Sequence, residues 1–402
     1  MDLYLNDRHQ QLRARVREFA EAEIAPVARR HDEESRFPWE NVKKMAELGL
    51  FGINIPEEYG GQGLDGLSYI VVLEELARVD ASHCITVSAH STLCASPILN
   101  FGTEEQKRRY LPLLASGQVL GGFGLTEPGA GSDASGTRTT AVRVNGGYRI
   151  NGSKIFITHA GVGEIFVVTA VTDRSAGSRG ISSFIVTKET ADRAVADTLG
   201  IGHAPELEPF TPGVRAGKKE DKMGWRASDT RELILEDAEV PATNLLGREG
   251  EGFINFMKTL DAGRIGIGAL ALGIAQGAFE EALRFTGERV QFGKPVREFQ
   301  GVGFALADMA TEIACARHLV YHAAWLKEHG RPFTKEAAMA KLYASELAMR
   351  VTTRAVQLMG AYGYTSEYPV ERMMRDAKIC EIGEGTSEVQ RMVIARHLMR
   401  EA

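Results

Sequence analysis

Thr139-Thr-Ala-Val-Arg-Val144-Asn-Gly-Gly147-Tyr-Arg-Ile150 is the stretch where the chain changes its period. Residues 139–144 alternate, Asn145-Gly146-Gly147 turns, and Tyr148–Ile150 returns, which is a β-hairpin signature. Short runs rich in Ile, Val, Phe and Thr follow at Ile155–Thr158, Ile165–Val171, Phe184–Thr187 and Leu233–Leu235. No helix-length pattern separates them. The middle block, 119–241, is therefore expected to be an antiparallel sheet or barrel rather than a βαβ fold. Lys188–Phe210 interrupts it with 23 residues of weak pattern, long for a simple connection.

On both sides the period returns to that of a helix. Upstream, residues 1–118, Leu12, Val16, Phe19, Ile24 and Val27 keep one stripe, Leu67–Arg78 forms another, and Thr103 with Gln106 makes a capping box. Residues 54–66 read as a turn-rich loop. Downstream, residues 242–402, one long helix is expected over Gly252–Arg289. Others are expected over Phe299–Glu328, Thr334–Met359 and from about Thr386 to Met399. Long helices joined by short Gly/Pro loops predict an antiparallel four-helix bundle. The fold class is thus α+β, mainly α, in three blocks.

Composition narrows the function classes. The chain has 402 residues, 44% hydrophobic and 25% charged, with a net charge of −6. That excludes a disordered or collagen-like chain and leaves no basic field for nucleic acid. The four cysteines form no CxxC pair, which fits buried thiols in a reducing compartment, so a cytoplasmic location is expected. The N-terminus carries charge where a signal peptide needs an apolar run. The apolar stretch Ile265–Phe279 is 15 residues long, shorter than a membrane span of about 18 or more, and reads as a core helix.

Two motif matches lack their context. Gly61-Gln-Gly63-Leu-Asp-Gly66 follows a loop instead of a strand, so it does not read as a dinucleotide site. Cys315, His318 and His322 share a helix face at metal-capable spacing, but no carboxylate ligand accompanies them and packing is the expected role; no metal is expected. Three other segments can carry chemistry. Leu125-Thr-Glu-Pro-Gly-Ala-Gly-Ser-Asp133 ends a strand in a Gly/Pro turn that reads equally as a tight structural turn or as a site whose N–H groups and hydroxyls suit an anionic or carbonyl-rich ligand. On the Lys154–Gly161 strand, Phe156 and Thr158 point the same way and can wall a flat ring. Glu384 lies between Gly383 and Gly385 just before a helix start. It suits a general base, or a helix-capping acid.

These segments, with ERVQFGKPVREFQ (288–300), QLMGAYGYTSEYPVERMMRDAKI (357–379) and IGEGTSEVQR (382–391), resemble the acyl-CoA dehydrogenase family in order and over essentially the whole chain, nearest to its short- and medium-chain branch. The resemblance implies FAD, an acyl-CoA substrate, electron transfer flavoprotein as oxidant and a homotetramer built as a dimer of dimers. It implies Glu384 as the catalytic base that removes the α-proton while a hydride leaves the β-carbon for the flavin. Leu125 and Thr126 would meet the flavin pyrimidine edge, and Phe156 and Thr158 its ring. Arg289, Phe292, Gln300, Gln357, Gly360 and Ala361 would reach FAD across a dimer interface, and Thr386 and Glu388 would close over the cofactor. Ser132, Ser178, Asp261, Arg264 and Gly385 would contact the acyl-CoA. Gly263 occupies the alternative base position used by other branches, which leaves Glu384. Gly383 stands where many relatives carry Tyr, so a wider acyl pocket is expected. The rival readings are an oxygen-using oxidase on the same fold and a non-catalytic FAD-containing assembly protein.

Overall fold

The computed structural model describes residues 3–401. The upstream block is helical. Asn6 and His9 form a reciprocal cap that starts α1 (Asp7–Phe19), which runs through a π turn into α2 (Ala25–Glu33) and is followed by α3 (Trp39–Glu47). Gly61–Gly66 follows a 3-10 turn, Glu57–Tyr59, with no strand before it. Asp65 accepts from Ser68 N at 2.7 Å and opens α4 (Gly66–Val79). Asp80 ends α4 and caps α5 (Ala81–Ser88), which passes through a π segment, Ala89–Ala95, into α6 (Ser96–Phe101). The Thr103–Gln106 box starts α7 (Glu104–Ala115), with both of its hydrogen bonds formed at 3.0 and 3.2 Å.

The strands are β1 (Gly121–Gly124), β2 (Thr140–Val144), β3 (Gly147–Thr158), β4 (Ile165–Val171), β5 (Ile181–Thr187), β6 (Val214–Lys219), β7 (Thr230–Pro241) and β8 (Leu245–Leu246). The hairpin forms as expected, with Val144 opposite Gly147 and Gly146 at φ +84°. The sheet is mixed, which corrects the expectation that its pairings are all antiparallel. Its order is β6-β7-β3-β2-β4-β5-β8, with β1 on β4, and both β1–β4 and the β2–β4 bridge are parallel. The β2–β3 hairpin lies between β1 and β4 in sequence. A connection of that length allows a parallel pair, which a tight turn cannot.

Lys188–Phe210 is ordered. It holds α8 (Arg193–Leu199), and Trp39 Nε1 donates to Asp192 Oδ2 at 2.8 Å. Gly202 packs under the Trp39 ring, where a Cβ would come within 2.5 Å. His203 and the Ala204 N–H hold buried Glu164 at 2.8 and 3.0 Å. Only Ala196 of α8 is buried, which explains the weak periodic signal.

The downstream block is built on α9 (Gly252–Glu288), 37 residues and so about 55 Å long. It is the one helix among the described residues long and apolar enough to cross a bilayer, and 83% of its apolar window is buried in the fold. At Gly273 and Gly277 it lies against α4 so closely that a Cβ would come within 2.4 Å of Glu74 O and 2.0 Å of Arg78 O. After a small β9–β10 ribbon (Val290–Gln291 and Lys294–Pro295) come α10 (Gln300–Glu328), α11 (Thr334–Met359), the single turn α12 (Ala361–Tyr364), α13 (Val370–Lys378) and α14 (Ser387–Glu401). One apolar core joins α4, α5, α9, α10, α11 and α13.

Candidate active site

α13 leads through a 3-10 turn, Ile379–Glu381, into the 382–386 loop. Glu384 and Gly385 are both left-handed, at φ +52° and +90°. A left-handed non-glycine residue is uncommon and must be held by its surroundings. Here Lys341 Nζ donates to Gly385 O at 2.6 Å, Gln390 Nε2 donates to the same oxygen at 2.8 Å, and the Thr386 hydroxyl accepts from Val389 N at 3.3 Å. The turn aims the Glu384 carboxylate at α9. Oε2 is buried with no hydrogen-bond partner, and a Cβ at Gly263 would sit 2.2 Å from it. The bare helix face at Gly263 is therefore the space this carboxylate needs. Burial raises the Glu384 carboxyl to about 7, against the opposing pull of Lys341 and Arg264. A carboxylate poised near neutrality, buried and unpaired, is equipped to take a proton. Its own N–H makes no hydrogen bond within the described chain.

Asp261 and Arg264 form an ion pair one turn apart on α9, and Thr334 Oγ1 donates to Asp261 Oδ2 at 2.8 Å. One turn beyond Gly263, Gly266 faces Ser88 Oγ, Leu73 and Tyr69 OH at 3.2–3.6 Å from a Cβ position. Burial holds the Tyr69 hydroxyl well above its ordinary value.

The second cluster lies at the end of β1. Phe123 stacks on Phe256 of α9 at 5.3 Å, which brings the 125–133 loop roughly 10 Å along the helix from Gly263. Glu127 is buried and anchors this loop. It accepts from Lys154 Nζ at 2.7 Å, Thr139 Oγ1 at 2.6 Å, Arg138 N at 2.6 Å and the Thr137 hydroxyl. Burial favours the neutral form of Glu127, but Lys154 and the two threonines outweigh it and hold the carboxyl at about 2. Lys154 Nζ also donates to Leu125 O at 3.2 Å, and Ile155 N to Thr126 O at 2.8 Å. The register slips between Lys154 and Ile157, with Phe156 at φ +59°. This bulge leaves Phe156 62% exposed while Lys154 and Ile157 are buried, and Thr158 comes out on the same open side as Phe156. The hydroxyls of Thr126, Ser132 and Thr158 have no hydrogen-bond partner among the described residues. Nothing lies within 4 Å of a Cβ position at Gly129 or Gly131. An exposed ring, free hydroxyls and open glycines fit one edge and one face of a flavin. Ser132 and Ser178 are both exposed, the latter in the turn before β5.

Arg289, Phe292, Gln300, Gln357, Gly360 and Ala361 are not brought to these clusters. Arg289 begins 25 residues after Arg264, roughly 38 Å along α9. α11 contacts Asp261 through Thr334 and Gly385 through Lys341, so its far end, with Gln357, lies beside Arg289. There Arg289 stacks over Tyr362 at 5.6 Å, and Phe292 is 94% exposed. Glu388 is exposed on the first turn of α14. His318 and His322 pack against Tyr4 and Trp325. No metal-holding group of three occurs among the described residues.

Sequence reasoning missed Lys154, Lys341, Glu127 and Tyr69. Glu127 stood inside a quoted motif as an acid with no partner assigned. A lysine opening the apolar run Ile155–Ile157, at position 154, was the available signal for its buried partner.

Comparison with known proteins finds relatives over the whole chain. Residues 6–118, 122–238 and 250–399 match the N-terminal, middle and C-terminal domains of acyl-CoA dehydrogenase. The chain is 52% identical to a short-chain specific acyl-CoA dehydrogenase of Clostridium acetobutylicum, covering 100% of both chains. It superposes on butyryl-CoA dehydrogenase from Megasphaera elsdenii with a TM-score of 0.92 at 48% identity, again over 100% of both chains. A chain solved with the electron transferring flavoprotein of Acidaminococcus fermentans matches with a TM-score of 0.93 at 51% identity over 100% of both. By fold, by motif order and by these likenesses, the chain belongs to the acyl-CoA dehydrogenase family.

Proposed function

We propose that this chain catalyses FAD-dependent α,β-dehydrogenation of a short acyl-CoA thioester to the trans-2-enoyl-CoA, with electron transfer flavoprotein as the acceptor. The observation that carries the reading is the buried, unpartnered Glu384 carboxylate over Gly263. The short substrate is supported by the short-chain and butyryl-CoA names of its relatives, and by Tyr69, Leu73 and Ser88 closing in one turn beyond Gly263. The acceptor is supported by the likeness to the chain solved with an electron transferring flavoprotein.

Glu384 takes the α-proton on Oε2. The thioester carbonyl must be polarised for that, and the free Glu384 N–H is the donor this chain offers. Arg264, next to Gly263 and paired with Asp261, steadies the thioester arm, with Ser132, Ser178 and Gly385 along the CoA path. Leu125, Thr126, Phe156 and Thr158 hold the flavin edge and face, and Thr386 and Glu388 close over it. FAD, when bound there, supplies the acceptor for the β-hydride. Substrate entry expels water from Glu384, which strengthens its basicity at the moment of transfer.

Arg289, Phe292, Gln300, Gln357, Gly360 and Ala361 lie too far from Glu384 to complete the same site within one chain. They serve the FAD of a partner copy, which makes at least a dimer the working unit and a dimer of dimers the assembly. Three of the four thiols are buried and all are free, in keeping with a cytoplasmic location.

Glu384→Gln tests the reading. The variant should keep FAD and bind crotonyl-CoA, while single-turnover flavin reduction by butyryl-CoA falls at least ~10²–10⁴-fold. Reduction within a few-fold of the parent would contradict the assignment.

A further inference from the structure

Lys341 is a buried cation with no assigned task. It lies on α11, 0% exposed, and no carboxylate is within ion-pairing distance of it among the described residues. Taking an ammonium out of water is costly unless it is paired. Its hydrogen bond is to the carbonyl of Gly385, at 2.6 Å. That oxygen already accepts from Gln390 Nε2 at 2.8 Å, so a neutral donor meets the need of the backbone. The carboxylate that acts on Lys341 most strongly is Glu384, and Lys341 leads the charges that oppose burial at Glu384. Two buried charged groups thus meet at the 384–386 turn, one the Glu384 side chain and one on the Gly385 carbonyl, neither in an ion pair.

We propose that Lys341 is a positioning residue for the Glu384 base: its ammonium clamps the Gly385 carbonyl, fixes the left-handed turn that aims the carboxylate over Gly263, and supplies a positive charge that favours the ionised carboxylate. The proposal rests on the reading of Glu384 as the base. The other groups that face this region are Arg264 and Asp261 from α9, Tyr69 from α4, Cys84 from α5, Cys380 and Glu381 from the turn before the loop, and Glu388 from α14. Arg264 shares its charge with Asp261, which weakens its hold on Glu384. Lys341 shares its charge with no carboxylate at contact distance, so it dominates.

The test uses the full-length, FAD-loaded protein. An infrared pH titration of the ligand-free enzyme follows the carbonyl band of protonated Glu384, identified by its loss in Glu384→Gln. Lys341→Met, which keeps the apolar stem, and Lys341→Gln, which keeps a neutral donor, should each raise the midpoint by about one pH unit. Lys341→Arg should stay near the parent. Flavin reduction by butyryl-CoA should show the same shift. At one pH unit below the parental midpoint the two neutral variants should run several-fold slower, and at pH 9 they should converge on the parent. An unmoved midpoint in Lys341→Gln, or an equal loss of rate at every pH, would overturn the proposal and leave Lys341 a packing residue. If Lys341→Met does not fold, the Gln and Arg variants decide the same question. Parental reduction by Glu384→Gln would instead refute the base assignment and leave the infrared shift standing, so the two failures are distinguishable.

Discussion

Burial at Glu384 sets activity against stability. Its folded carboxyl lies near 7, above the ordinary 4.5. A group raised on folding contributes stability that is present below its unfolded value and is lost as pH rises through the folded one. As the proposed base, Glu384 must be ionised to take the proton. Flavin reduction should therefore fall away below about pH 7. Glu384→Gln should melt above the parent at pH 8, with a gain that shrinks towards pH 5; a calorimetric scan at both pH values checks this. Gly263 is the complementary residue, since an added Cβ would stand 2.2 Å from Oε2. Gly263→Ala should slow flavin reduction roughly tenfold or more while FAD stoichiometry is unchanged, because misplacing the base by a fraction of an ångström misaligns the transfer. Thr158→Val removes a free hydroxyl from the proposed flavin face. A hydrogen bond to a group that gains charge is worth roughly 1.5–3 kcal/mol, so a slower reduction and an altered flavin spectrum are expected from stopped-flow traces.

At the scale of the element, the 125–133 loop and the bulged end of β3 are fixed by one buried pair, Lys154–Glu127. Lys154→Met strands the Glu127 carboxylate among Thr137 and Thr139. Breaking a buried pair on one side costs about 3–5 kcal/mol, which a denaturant titration would read, and the released loop should lose FAD faster. In the 382–386 loop, a Cβ at Gly383 meets only Ile379, at 3.5 Å and beyond. Gly383→Tyr can thus be built, and it should penalise branched acyl groups more than butyryl in kcat/KM. Elements with local signals were legible: the Asn145-Gly146 hairpin, the Thr103–Gln106 box, and α9 within a residue of its expected end. β1 is Gly121-Gly-Phe-Gly124, with no β-formers except Phe123, and exists because it pairs with β4 some forty residues later. The bulge at Phe156 was equally invisible. Its effect matched the simple alternation, because residues 156 and 158 share a side on either account, but Lys154 was turned inward by it.

The whole molecule is arranged along α9, with the proposed base Glu384, the Asp261–Arg264 pair and the 125–133 loop near its start and Arg289 near its end. On the proposed reading, in which the Arg289 end serves the FAD of a partner copy, that separation of roughly 38 Å makes FAD retention depend on assembly. A variant driven to monomer should lose FAD, and a monomer shown by sedimentation to hold stoichiometric FAD would contradict the shared site. The candidate residues legible in the chain were those in compact motifs, such as Glu384 between its glycines. The residues that hold them, Lys154 and Lys341, come from other segments and acquire meaning only when the blocks pack. The family implies one reaction for this assembly, and one measurement tests it most directly. Anaerobic addition of butyryl-CoA to the FAD-loaded protein should bleach the oxidised flavin band and yield one crotonyl-CoA per flavin, with the colour restored by electron transfer flavoprotein. A flavin that stays oxidised with butyryl-CoA and with longer, branched and aromatic acyl-CoA thioesters would contradict the account.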